Sequence, residues 1–113
     1  MDIQLINKDV LKKVDVSEKV SIHRNIDQTE TIVCFEGCFD VVFYQELPNM
    51  NAGGPIHDGE QAFDETCFAE TARVRVCPRE GKYGILVPPY VWYSIEVQEP
   101  SIIREVKDGK IME

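Results

Sequence analysis

From residue 19 onward the chain alternates apolar and polar side chains with a period of two, in short runs: KVSIHRN, ETIVCFEG, CFDVVFYQE, FAETARVRVC, YGILVP, VWYSIEV and SIIREV. Each run is rich in Val, Ile, Phe, Tyr and Thr, which suit a pleated, half-buried surface. Seven such runs in 113 residues predict an all-β sandwich or barrel. Ahead of them the spacing is helical: in INKDVLKKV, Asn7 is a good N-cap and Val10, Leu11 and Val14 recur at helix intervals, predicting a short helix over about 7–14. Turn chemistry at Glu36-Gly37, at Pro78 to Gly81 and at Glu99-Pro100 separates the runs and predicts antiparallel strands in a meander. Residues 47–65, with Gly53-Gly54-Pro55 at their centre, hold no period and predict a long loop.

The length and a hydrophobic content of 43% fit one domain over residues 1–113, with a barrel over about 19–106. Twelve basic against twenty acidic side chains leave a formal charge of -8, which repels nucleic acid and anionic membranes, so neither is expected as a partner. No apolar run approaches the roughly 20 residues that span a bilayer. The opening MDIQLINKDVLKK lacks the order of a signal peptide, and a cytoplasmic protein is expected. Cys34, Cys38, Cys67 and Cys77 have no C-x-x-C spacing and are expected as thiols, acting as small buried hydrophobes. Arg73, Arg75, Arg79, Lys82 and Arg104 cluster in the last third, as a local anion site or as a solvated sheet face. His57 sits beside Asp58 in the long loop, either folded over a pocket or solvated.

Inside SIHRNIDQTETIVCFEG, residues 21 to 37, the intervals read H-x-N-x4-E-x6-G through His23, Asn25, Glu30 and Gly37. On a strand, positions 23 and 25 point to the same side. The pattern resembles the first motif of the cupin superfamily, in which a histidine stands at the position of Asn25. The second cupin motif is matched by GKYGILVPPYVWYSIEV, through Gly81 or Gly84, then Pro88-Pro89, then Tyr90 and Trp92, with Tyr93 in place of the family's last histidine. The resemblance implies a double-stranded β-helix, or jelly-roll, barrel of antiparallel strands.

Within the superfamily, Pro88, Pro89, Trp92, Glu105, Lys107 and Gly109 resemble the ending of the WbuC-type cupin metalloproteins, and INKDVLKKV resembles their N-terminal helix. Those proteins accompany polysaccharide biosynthesis. The chain departs from them at Tyr90, where they have glycine, and at Tyr93. The same intervals are similar to those of small cupins that isomerise nucleotide-linked keto-sugars without a metal, with histidines and a tyrosine as proton-transfer groups.

The resemblance implies four uses of one site. As a metal centre it keeps two competent ligands, His23 and Glu30, because neutral Asn25 offers only a weak carbonyl oxygen and Tyr93 would have to lose a proton of ordinary pKa about 10. A divalent ion at low occupancy, a ferric ion that recruits Tyr93 as tyrosinate, or no cofactor at all are its three states. As an enzyme it would use His23 as base and Tyr93 as acid. As a binding module it would line a cavity with Asn25, Tyr44, Tyr90, Trp92 and Tyr93 for a sugar or nucleotide-sugar. As a structural element it would be a satisfied polar cluster inside the barrel. The reading these share is a cupin with an altered metal site that binds or modifies a small sugar-like molecule in carbohydrate metabolism. Exposed sheet edges need protection, and a homodimer is expected.

Overall fold

The computed structural model describes residues 11–14, 19–48, 60–61 and 64–108. Seven strands form in chain order: β1 Leu11–Val14, β2 Lys19–Arg24, β3 Thr29–Glu46, β4 Glu60–Gln61, β5 Phe68–Val76, β6 Gly84–Val87 and β7 Trp92–Asp108. All pairings are antiparallel. The spine is the pairing of the two longest strands, β3 and β7, from Thr29↔Asp108 at one end to Tyr44↔Trp92 at the other.

Two predicted turns prove to be one corner. The runs on either side of Gly37 form a single strand, as do the runs on either side of Pro100. The two breaks lie opposite each other, with register shifts from Cys34 to Phe39 and Cys38 facing Glu99. Such bulges bend both strands together. Gly37 takes φ 101, and a Cβ there would lie 2.3 Å from Ser101 Oγ and 2.5 Å from the Pro100 carbonyl. Ser101 occupies the crowded side: its hydroxyl accepts from the Cys38 N–H at 3.1 Å and donates to the Glu99 carbonyl at 2.7 Å, meeting backbone groups that the bulges release.

The bend divides the sheet into two halves. One has the order β4-β2-β7-β3-β5, built on the first half of β7 and the second half of β3. The other adds β1 to the end of β7 and β6 to the start of β3. Ile32, Cys34, Val87 and Ile103 from the second half meet Phe39, Val41, Val76, Tyr93, Ile95 and Val97 from the first in one buried core. Among the described residues the sheet stays open at its edge strands, β4 and β5.

This topology is no meander. β2 and β3 follow each other in sequence, yet β7 lies between them, so the connection after Arg24 crosses from one half to the other. Nor is the N-terminal segment helical where it is described: Leu11–Val14 pairs with β7, from Leu11↔Arg104 to Val14↔Ser101. Residues 7–10 of the expected helix lie outside the described residues. Four residues are too few to nucleate a helix in water, whereas the open edge of β7 offers them a ladder of backbone partners. The described helical turns are of the 3-10 type, at Glu65–Cys67 and Pro78–Glu80.

The cysteines also differ from expectation. Cys38 and Cys77 form a disulfide across a sequence separation of 39 residues. Phe39 pairs with Val76, which sets the two cysteines opposite each other with Cα atoms 4.4 Å apart. Cys34 and Cys67 are thiols. Cys34 is buried in the core, and burial pushes its pKa up.

Candidate functional site

His23 lies on β2 directly across from Tyr93 on β7. Their rings pack with centroids 4.4 Å apart, tilted by 50°. His23 Nδ1 is 2.8 Å from the Ser21 carbonyl. A carbonyl only accepts, so Nδ1 carries the proton and the neutral ring keeps its lone pair on Nε2. His23 is half-buried, at the margin of the core that encloses its partners.

Behind it stand three buried polar side chains, Asn25 (1% exposed), Glu30 (1%) and Tyr93 (0%). Asn25 Nδ2 donates to Glu30 Oε1 at 2.9 Å, and the Tyr93 hydroxyl donates to the same oxygen. Tyr93 belongs to the first half of the sheet and Glu30 to the second, beside β6, so this bond ties the halves together across the core. Burial, followed by the charge of Glu30, raises the Tyr93 pKa far above that of a free phenol. The Asn25 Oδ1 atom is buried without a hydrogen-bond partner. The Asn25 carbonyl accepts from the Tyr90 N–H at 2.7 Å, which fixes the end of β2 to the turn before β7.

These residues do not fit a metal of the cupin kind. Glu30 Oε1 already accepts two hydrogen bonds, Asn25 directs its amide N–H toward that oxygen, and the Tyr93 hydroxyl directs its O–H there as well. No third His, Cys, Asp or Glu gathers with His23 and Glu30 among the described residues.

The expected aromatic lining divides between two faces. Successive residues of a strand point to opposite sides, so Trp92 faces away from its neighbour Tyr93, as does Tyr44, which pairs with Trp92. On this second face Tyr44 shares a hydrogen bond of 2.8 Å with Ser94 Oγ, and Phe68 packs edge-on against Trp92 at 4.9 Å. The Arg24 guanidinium lies 4.4 Å from the Trp92 ring centroid and 5.6 Å from that of Tyr90, within cation–π range. The structure therefore gathers His23, Asn25, Glu30 and Tyr93 on one face and Tyr44, Trp92 and Arg24 on the other. Arg24 and Phe68 were missed in sequence: alternation with His23 along β2 was the signal available for Arg24, and the place of Phe68 depends on the pairing of β5 with β3.

Tyr90 sits at the rim, 59% exposed, with φ 68. Glycine adopts that left-handed backbone without the steric cost a side chain brings. The basic residues form no anion site: Arg73 pairs with Asp40, Glu70 and Glu96, Arg79 with Glu99, and Arg75 and Lys82 with Glu80. Arg104 is half-buried beside β1 and β3. His57 and most of the 47–65 loop lie outside the described residues, as does Gly109.

No family model matches the chain, and no curated protein does. Among solved structures it is similar to a dTDP sugar isomerase from Desulfovibrio desulfuricans G20, with a TM-score of 0.54 and 20% identity over 87% of this chain and 54% of that one. The two share a fold, and the chain spans about half the length of that protein. Among the described residues no helix is long and apolar enough to cross a membrane.

Proposed function

We propose that this chain is a small cupin domain, resembling the WbuC type, that binds or modifies a small sugar-like molecule beside His23 without a resident metal. The observation that carries the proposal is the Glu30 oxygen held by both Asn25 and Tyr93, with His23 packed on Tyr93 and its Nε2 lone pair uncommitted to Ser21. Ligand positions of a metal centre have become a hydrogen-bonded cluster, and one imidazole at its margin remains able to accept a proton or a sugar hydroxyl.

The test is a proton NMR titration with free sugars and dTDP-linked sugars. Movement of the His23 imidazole signals on adding one of them supports the proposal. Movement confined to the Trp92 indole signal would shift the site to the opposite face of the sheet. No movement with any of them would leave the cluster a structural one.

A second, more specific reading is a metal-independent isomerase of nucleotide-linked keto-sugars, favoured by the shared fold with a dTDP sugar isomerase. His23 would take the proton from the carbon beside the keto group and return it to the former carbonyl carbon, while Tyr93, with its hydroxyl turned from Glu30, would act as the acid, giving its proton to the keto oxygen and recovering one from the neighbouring hydroxyl as that becomes the new ketone. Turnover of a dTDP-linked keto-sugar that is abolished in both His23→Gln and Tyr93→Phe, with both variants still folded at the assay temperature by circular dichroism, is expected. Parallel loss of fold and activity would argue against it. The proposal includes a homodimer in the cytoplasm. Exposed Phe35, Tyr83 and Leu86, on and beside β6 and β3, offer apolar surface for pairing, and Leu86→Glu should then lower the sedimentation coefficient toward that of a monomer.

A further inference from the structure

Away from the His23 face, beside the corner of the sheet, Cys38, Cys77 and Glu80 bring two sulfurs and a carboxylate within 4.8 Å of one another. Two features make this more than a chance approach. Cys77, Pro78, Arg79, Glu80 and Gly81 form a tight turn: the Glu80 N–H donates to the Cys77 carbonyl at 2.9 Å and the Gly81 N–H to that of Pro78 at 2.9 Å, with Gly81 left-handed at φ 80. Cys77 and Lys82 close its base with reciprocal bonds of 2.7 and 3.1 Å. Ligands with two residues between them on one short turn have the spacing by which structural zinc sites take paired donors from a single loop. Second, β3 supplies Cys38 from across the sheet, in a register fixed by Phe39↔Val76.

We propose that Cys38, Cys77 and Glu80 form a site for a zinc-class divalent cation, which opens when the Cys38–Cys77 disulfide is reduced. A thiol reductant supplies two electrons and two protons; the S–S bond breaks, two protein thiols form, and the reductant leaves as its own disulfide. The cation then binds both sulfurs, displacing their protons to solvent, and the Glu80 carboxylate is the third ligand with water as the fourth. In the oxidised chain the sulfurs are bonded to each other and cannot act as thiolates, so disulfide and cation exclude one another.

The surroundings suit this exchange. Arg79 Nη2 lies 4.0 Å from Cys38 Sγ, where its charge favours a thiolate. Arg75 and Lys82 approach Glu80 Oε1 at 3.3 and 3.6 Å. These are exposed ion pairs, which contribute little, so Glu80 can leave them at small cost. The charges of Arg75, Arg79 and Lys82 oppose the incoming cation, and the two thiolates with the Glu80 carboxylate offset them. Both cysteines are buried, and the exposed Glu80 gives the route from solvent.

The experiment uses the full chain, reduced with a phosphine under anaerobic conditions and titrated with Co2+, whose thiolate charge-transfer absorption reports sulfur ligation directly. The His23 cluster contains no thiol, so it cannot produce that band. Saturation at one Co2+ per chain, displaced by Zn2+, is expected for the reduced protein, with no band for the oxidised one. Cys77→Ser should abolish the band, Cys67→Ser should retain it, and Glu80→Gln should weaken binding at least tenfold. Zn2+ should also raise the melting temperature of the reduced chain and leave that of the oxidised chain unchanged. A folded, reduced chain without the band would overturn the proposal, as would a Glu80→Gln variant of unchanged affinity. Equal Co2+ affinity in the presence and absence of urea would do the same, because it would show ligation by unfolded cysteines.

Discussion

Tyr93 stands at a position where its chemistry is decided by one neighbour. Its hydroxyl donates to Glu30 inside the core, so Tyr93→Phe leaves a buried carboxylate oxygen with Asn25 as its remaining partner and should cost about 1–3 kcal/mol in urea denaturation. The pH dependence follows from the raised pKa. Folded Tyr93 keeps its proton where the unfolded chain loses it, so its contribution is complete below the ordinary phenol pKa of about 10 and declines as pH rises above it. The urea midpoint should therefore fall above about pH 10 more steeply in wild type than in Tyr93→Phe. At Tyr90 a different constraint applies. The left-handed backbone costs a non-glycine residue roughly 1–2 kcal/mol, and glycine's extra freedom in the unfolded chain costs roughly 0.5–1. Tyr90→Gly should consequently leave stability unchanged or raise it by up to about 1.5 kcal/mol in a thermal melt. A loss would show that the Arg24 stack on the Tyr90 ring holds the strand ends together.

Among the elements, the paired bend in β3 and β7 decides where everything else lies. Gly37 permits it through its positive φ and its contact with Ser101. Gly37→Ala should destabilise by on the order of 3 kcal/mol, from backbone strain and overpacking together, whereas Gly81→Ala, with open space around its Cβ, should lose only the left-handed preference. Circular dichroism melts of the two variants compare them directly. The strands themselves were legible, since their period-two runs and β-branched residues name them one by one. The breaks at Gly37 and Pro100 were legible only as breaks: one strand alone does not show that its interruption lies opposite another's. The strand state of Leu11–Val14 was hidden for a related reason, because it depends on the open edge of β7 and not on LKKV itself.

For the molecule as a whole, what sequence revealed about the site was its inner cluster. The H-x-N-x4-E intervals bring His23, Asn25 and Glu30 to Tyr93 even though β2 and β3 are not neighbours in the sheet. The aromatic lining was misjudged because Trp92 and Tyr93 were assigned to one cavity, which alternation along a strand forbids. The disulfide was beyond reach, since it depends on the register of β3 against β5. The β3–β7 spine has a further consequence for the order of events during synthesis. Residues 29 to 44 of β3 find their partners among residues 92 to 108 of β7, which leave the ribosome after them. β1 and β2, made before β3, also lean on β7. Until that strand emerges, the earlier ones have no common partner, so this sheet assembles only once β7 has been made, at the millisecond-to-second pace typical of distant pairings.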